Sequence, residues 1–421
     1  MATSTPHVHD HDSAEGMLSV EEARERVLSG VQTLAPLELN LQEAYGCVLA
    51  RDLVADRDIP EFASSAMDGF AVRASDVAEA SPASPAVLPI VGRALIGQRP
   101  EATVGHREAV RIATGAPIPA GADTIVPIEQ CEVRSDVARI MQGSPEGKHI
   151  RPAGEDVRQG EVLIRAGQRL GAPELGLLAT AGIPHPLVHP RPRVVVLSTG
   201  DELIEPSREP TFGQVRDSNA YTVYGQLREA GAIPVTAGIV ADDAEQLRET
   251  ILDHLVQADA FVSSGGVSVG ERDVVKAAFK DRGEVEFYRV AMQPGMPQGF
   301  GHIEGKPYFG LPGNPVSVFV SFEVFIRPAL LRMMGRRELG RPEVRARLEG
   351  DVSGPREKMQ FARVHVDRTT SGWIARPTGG RGSNLIATVA RANGLAVIPP
   401  GQADAPSGSE VRVVLFRSLE D

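Results

Sequence analysis

The sequence predicts a multidomain α/β protein. A doubly wound sheet domain is joined to an α/β N-terminal region, a β-rich insertion and a small C-terminal β-barrel-like domain. Three observations predict it. Strand-like and helix-like runs alternate between residues 190 and 338, as in a parallel sheet with crossover helices. Short β-type runs broken by prolines and glycines fill residues 57–149. Strand alternation returns after residue 341. The chain has 421 residues, 42% hydrophobic and 24% charged, a globular mix with material for about two to four domains.

The elements follow in order. Residues 1–16, "MATSTPHVHDHDSAEG", lack the charged start and apolar centre of a signal peptide and read as a disordered tail. Their His7, His9 and His11 leave a metal-binding tail as the alternative. "SVEEARERVLSGV" is a helix with Ser19 as its cap and Glu22 three residues on. "LELNLQEAYGCVLARDLVA" reads as a short strand and a helix. In the insertion, "AVRIATG" and "DTIVPIEQCEV" are strands between turns. "RPAGEDVRQGEVLIRAGQRLGAPELGLLATAGIP" returns to strand and helix. Residues 17–56 and 150–189 therefore form one discontinuous domain around the insertion, and "PHPLVHPRPR" is a linker near residue 190. Beyond it "RVVVLSTG", "IPVTAGIV", "ADAFVSSGG" and "EVEFYRVAM" are strands of the parallel sheet, separated by runs with helical spacing. "QGFGHIEGKPYFGLPG" is hairpin-like. The helix after it has Asn314 as N-cap and Pro315 at N1, and Pro328 kinks it or ends its first part. In residues 339–421, "VRARLEGDV", "QFARVHVDR" and "EVRVVLF" alternate as strands.

Composition excludes some functions. With 44 basic and 55 acidic residues the formal net charge is −11, which argues against a nucleic-acid partner or an anionic membrane held by a basic surface. No run reaches the ~18 apolar residues of a spanning helix. Two cysteines, Cys47 and Cys131, give neither a zinc spacing nor a disulfide framework, as expected of a cytoplasmic protein.

Chemistry collects where strands of the parallel sheet end, the place at which such sheets bind ligands. "STGDEL", "ADD" at 241–243 and "SSGGVSVGERD" each close a strand, and "LPGNP" lies between the hairpin and the last helix. Glycines and serines before a helix cradle an oxyanion. A phosphate loop usually adds lysine; this one adds Glu271 and Asp273. Acids beside an anion cradle fit a magnesium ion that shares its oxygens between carboxylates, phosphate and water. The plainer alternative makes Asp201 and Asp242 helix caps and leaves Glu202, Glu271 and Asp273 solvated. Upstream, Asp68 and Gly69 in "SSAMDGFAVR" read as a type I turn or a site, and Thr114 in "RIATGAPIPAGADTIV" as a strand end or a site.

These stretches, with "RPAGEDV", "DSNAYTV" and "GLPGNPVSV", stand in one order over roughly residues 17–400. Together they resemble the molybdopterin molybdenumtransferase family, the MoeA and gephyrin E-domain family. The resemblance implies a molybdopterin-binding central domain and a reaction. Molybdate and adenylylated molybdopterin give molybdenum cofactor and AMP, with Mg2+ assisting. It implies a homodimer with active sites shared between subunits, and transient contact with molybdoenzymes or the adenylyltransferase. By the same resemblance Asp68 and Thr114 face the molybdate or the substrate from the partner subunit, and Asp156 belongs with them. Glu202 and Asp242 line the cleft, and Asp273 with Glu202 holds the metal. Ser264, Gly265, Gly266 and Ser268 cradle phosphate, Pro312 and Pro315 shape their loop, and Ser383 comes from the C-terminal domain.

One departure stands out. Many relatives read Lys-Pro-Gly-Lys-Pro where this chain reads "QPGMP", with Gln293 and Met296. Losing a charged donor beside an anion costs on the order of 1–3 kcal/mol. Three readings follow: compensation by a basic group such as Arg289, a different mode of binding, or binding without catalysis. The last is the alternative function, a non-catalytic molybdopterin carrier or interaction protein. A third hypothesis, adenylylation of molybdopterin by ATP, conflicts with the long N-terminal half.

Overall fold

The computed structural model describes residues 16–265, 272–279, 283–370, 372–402 and 404–417. The expected tail lies almost wholly outside the described residues. The central sheet has six strands. Arg193–Thr199 pairs in parallel with Ile233–Val240 on one side and Ala260–Ser264 on the other. Ala260–Ser264 pairs in parallel with Lys306–Leu311. Pro297–Ile303 then turns back antiparallel, with Gly283–Arg289 antiparallel at the edge. The edge strand corrects the expectation that "EVEFYRVAM" belongs to the parallel set. The reason is its partner: the hairpin inserts its own second strand next to Ala260–Ser264.

Alternation along the strands feeds two cores. Val194, Val196, Val262, Phe309 and Leu311 face one cluster with the helices Val20–Ser29, Asn219–Ala230 and Pro315–Ser321. Val195, Leu197, Phe261 and Tyr308 face a second with the helices Ala244–His254 and Arg272–Phe279. Helices thus cover both faces, the doubly wound arrangement. The strand order reverses between the neighbours of Arg193–Thr199, so the ends of Thr199 and Ser264 form the switch point where a ligand crevice opens.

Local chemistry sets the helix ends. Ser19 Oγ accepts the Glu22 N–H at 3.1 Å while Glu22 Oε2 accepts the Ser19 N–H at 2.8 Å, a reciprocal capping box. Asn314 precedes Pro315 at the start of Pro315–Ser321. A π-turn, Phe322–Ile326, then separates this helix from Arg327–Met333, and Pro328 begins the second part. A proline has no N–H for the preceding turn, and the widened turn accommodates its ring.

Two stretches depart from expectation. Residues 41–46 form turns and no helix: Asn40 Oδ1 takes the Glu43 N–H at 3.0 Å, and Gly46 at φ +82° ends the segment. Val48–Leu49 then enters a sheet, which leaves no length for a helix. Leu187–His189, read as part of a linker, is the middle strand of that three-stranded sheet, between Leu37–Glu38 and Val48–Leu49. Its prolines flank the pairing instead of interrupting it. One core joins Ala44, Cys47 and Leu49 to Ile164, Leu170, Leu178 and Val188.

The insertion carries a six-stranded sheet that includes Gly69–Val72, Ala109–Ile112 and Thr124–Pro127. The C-terminal strands close into a five-stranded barrel. Met359–Thr369 pairs with Gly372–Pro377 and, around the ring, with Gly394–Ile398. Glu343–Leu348 and Glu410–Leu415 complete the circuit. Met292–Gln293 pairs in parallel with Met359–Gln360, so the "QPGMP" stretch is fastened to the barrel.

Candidate functional site

Two adjoining cavities lie at the switch point. The first, about 450 Å³, is lined by Thr199, Glu202, Asn219, Ser264, Gly265 and Gly313, among others. The second, about 600 Å³, is lined by Gln293, Met296, Ser317, Lys358, Arg381 and Ser383, among others. Pro297, Pro312 and Asn314 border both. The "LPGNP" loop is therefore the wall between a sheet end and a barrel end of one crevice. The sheet end carries a carboxylate, Glu202, and the barrel end carries two cations, Lys358 and Arg381.

At the sheet end the backbone is forced close. Gly265 has φ +86°, and a Cβ there would lie 2.4 Å from the Thr199 carbonyl oxygen. Only glycine lets the strand leave the sheet in this direction. Ser264 Oγ sits 2.9 Å from Ser198 Oγ, buried, so part of its bonding capacity is turned into the sheet. Thr199 Oγ1 and Asn219 Oδ1 are buried with no partner among the described residues. Asn219 spends its amide N–H on the Gly313 carbonyl at 2.7 Å. Buried polar atoms are nearly always satisfied, and orphans facing a crevice mark where a ligand's polar groups belong.

The acids divide. Asp201 accepts the Asp242 N–H at 3.2 Å and so ties two strand-end loops together. The helix cap is Asp243, which accepts the Gln246 N–H at 2.8 Å; the capping alternative for Asp201 and Asp242 is thereby corrected. Asp242 is exposed and borders neither cavity. Among the described residues no group of three or more His, Cys, Asp or Glu side chains could hold a metal ion. Among the described residues lining the sheet end, Glu202 is the one carboxylate. Gly266 and Ser268, and the side chain of Asp273, lie outside the described residues.

Asp68 and Thr114 meet in the insertion. Asp68 Oδ1 accepts the Thr114 N–H at 2.7 Å and its hydroxyl at 3.0 Å. These bonds, the backbone one foremost, hold the Asp68 carboxyl below its usual range. The next residue, Gly69, runs so close to its neighbour that a Cβ would lie 2.0 Å from the Val126 carbonyl oxygen. That contact explains the glycine and fixes where Asp68 stands. Asp68 and Gly69 sit in a bend running into a strand, not in a hydrogen-bonded turn. Asp156 is exposed nearby in sequence to the Ile59–Val157 bridge. None of Asp68, Thr114 and Asp156 borders the two cavities.

Of the remaining candidates, Ser383 lines the barrel end, and its carbonyl accepts the Val316 N–H at 2.9 Å beside the Pro315 turn. Pro315 itself shapes the helix start and borders neither cavity. Arg289 points Nη2 at Met296 Sδ, 3.4 Å away, and lines neither cavity. Sequence reasoning missed Lys358 and Arg381. Lys358 is 5% exposed, a buried cation just before the strand Met359–Thr369. Arg381 had a signal, a basic residue inside the glycine-rich "GGRGSN".

The family model described as MoeA N-terminal region (domain I and II) matches residues 18–182, one described as "Probable molybdopterin binding domain" matches 195–332, and MoeA C-terminal region (domain IV) matches 345–416. The chain is 41% identical over 404 residues to molybdopterin molybdenumtransferase 2 of Mycobacterium tuberculosis H37Rv, covering 94% of this chain and 99% of that protein. It is 32% identical over 407 residues to the molybdopterin molybdenumtransferase of Haemophilus influenzae, covering 96% of this chain and 100% of the other. Among solved structures, a molybdopterin biosynthesis MoeA protein from Pyrococcus horikosii matches with a TM-score of 0.81 at 32% identity, over 96% of this chain and 100% of that one.

Proposed function

The chain belongs to the MoeA family of molybdopterin molybdenumtransferases, and from that premise we propose how its residues carry the reaction. It is a transferase of molybdenum cofactor biosynthesis that inserts molybdenum into molybdopterin. The finer reading is that it takes adenylylated molybdopterin and molybdate, cleaves the phosphoanhydride and releases AMP. The observation that carries this reading is the polarised crevice, with Gly265 and Glu202 at one end and Lys358 and Arg381 at the other.

The strand end at Ser264 and Gly265, continued by Gly266 and Ser268, receives the phosphates through its backbone. Asn219 Oδ1 and Thr199 Oγ1 supply polar contacts that fix the ligand's position. Glu202 and Asp273 would hold magnesium, with Asp242 assigned to the same cleft, and the bound metal would offset phosphate charge. Pro312 and Pro315 keep the dividing loop rigid. Ser383 and the two barrel cations face the oxyanion. Asp68 is ionised at neutral pH and held in place by Thr114, so it serves as a fixed acceptor; with Asp156 it reaches the crevice of a second subunit. A homodimer with shared sites, a cytoplasmic location and passing contact with molybdoenzymes or the adenylyltransferase complete the proposal. So do the domain limits 17–56 with 150–189, 57–149, 190–338 and 339–421; the core shared by Ala44 and Leu178 supports the first.

The test is AMP release from adenylylated molybdopterin by the purified chain with magnesium, with and without molybdate, beside reconstitution of a cofactor-free molybdoenzyme. Molybdate-dependent release with reconstitution is expected. Tight binding without release would overturn the catalytic reading in favour of a carrier.

A further inference from the structure

At the barrel end of the crevice the wall that carries Gln293 and Met296 shows no charged side chain among the described residues, and Lys358 and Arg381 line the same cavity. Gln293 and Met296, from the stretch fastened to the barrel, contribute no charge. Gln293 Oε1 is buried without a partner among the described residues. The loop they belong to is pinned: Gln298 Nε2 donates to the Gly295 carbonyl at 2.5 Å and to Ser321 Oγ at 2.6 Å. It therefore keeps its course without lysines. Arg289 borders neither cavity, and its Nη2 lies 3.4 Å from the Met296 sulfur. Across the same cavity stands Arg381, in the glycine-rich turn between the strand Gly372–Pro377 and the helix Ile386–Ala390. Its Nη1 donates to the Ser353 carbonyl at 2.8 Å. That bond anchors one nitrogen of a fork that has five N–H donors. Two residues on, Ser383 lines the same wall.

We infer that Arg381 is the oxyanion-positioning residue of this chain, delivering from the barrel's turn the charge that Gln293 and Met296 lack. This deepens the proposed function and rests on it for the identity of the anion, a tetrahedral oxyanion such as molybdate. The chemistry is suited to the task. A guanidinium fork meets two oxygens of one tetrahedral anion at once, where an ammonium meets it as a point charge. The single bond to Ser353 restricts the side chain before the anion arrives. Among the described residues no acidic side chain lines this cavity.

The test uses the full chain and equilibrium dialysis of labelled molybdate in the presence of AMP. Arg381→Met should weaken molybdate binding about ten-fold or more, with AMP binding and Tm unchanged. Gln293→Lys alone should gain little. Added to Arg381→Met it should restore most of the affinity, because it returns a cation to the same cavity from the other wall. A purely structural role through Ser353 would not be rescued by that lysine. Unchanged molybdate binding in Arg381→Met, absence of rescue, or no molybdate binding by the unsubstituted chain would each overturn the inference. The two readings fail separately. If the chain binds molybdate through Arg381 but releases no AMP, the transferase chemistry is lost and the anion site stands. If it turns over and Arg381→Met leaves both binding and turnover intact, Arg381 is wrong and the transferase stands.

Discussion

Asp68 shows what one side chain needs in order to act at a distance from its own fold. It is exposed, so burial gives it nothing, and its position comes from two bonds to Thr114 and from the close passage of Gly69. Asp68→Ala removes the acceptor without touching either cavity. Turnover should fall at least ~100-fold, the scale of one positioned polar group in a reacting site, while calorimetry should show the pterin nucleotide still bound. Normal turnover in that variant would remove Asp68 from the mechanism. The hydrogen bonds also fix a sign with pH. The Asp68 carboxyl is depressed below 3.8 by Thr114, so its bonds contribute to stability above the unfolded value and are lost as pH falls through the lower folded value, a window below about pH 4. Thr114→Val, which deletes the hydroxyl bond, should raise the Asp68 midpoint toward 3.8 when its carboxyl carbon is followed by NMR. An unmoved midpoint would mean that the backbone N–H alone holds it.

Elements rather than residues decide how firmly the crevice wall stands. The helix pair around the π-turn carries Glu323, whose side chain is only 3% exposed. Arg341 donates to it twice, at 2.9 and 3.1 Å, and Gln226 once, at 3.0 Å. Arg341→Met leaves that carboxylate buried with a single neutral donor. The cost should be about 3–5 kcal/mol, against near neutrality when Glu323→Leu is added, since a buried pair is costly to break and cheap to replace. Denaturant midpoints of the single and double variants separate the two outcomes, and equal losses would show that the pair matters only for shape. The same elements show what was legible in the sequence. The capping box at Ser19, the break at Pro328 and the strands before "STGDEL" and "SSGG" were readable because local chemistry and alternation specify them. Residues 41–46 and Leu187–His189 were misread because distant pairing decided them. "EVEFYRVAM" looked like any strand, and only its hairpin partner made it antiparallel.

At the scale of the whole molecule the residues divide between places that no local reading could join. Glycine loops announced the sheet end of the crevice, whereas Lys358 and Arg381 were missed, because only the barrel places them beside "QPGMP". Asp68, Thr114 and Asp156 remain apart: they border neither cavity, although Glu202, Ser264, Gly265 and Pro312 border one together. A second copy of the chain resolves this if its insertion reaches the first copy's crevice, as closed two-fold symmetry would allow twice over. Mixing tests it. Asp68→Ala and Glu202→Ala should each be inactive alone. After the two are unfolded together and refolded, half of randomly formed dimers are mixed, and each mixed dimer holds one intact site and one doubly altered site. Activity should return to about one quarter of the unsubstituted level, the expectation for a symmetric dimer with sites built across subunits. If each site is instead complete within one chain, every chain in the mixture carries a lesion in its own site and no activity returns. Recovery near one quarter would place Asp68 in the partner's crevice. No recovery, with dimers present by light scattering, would return it to its own.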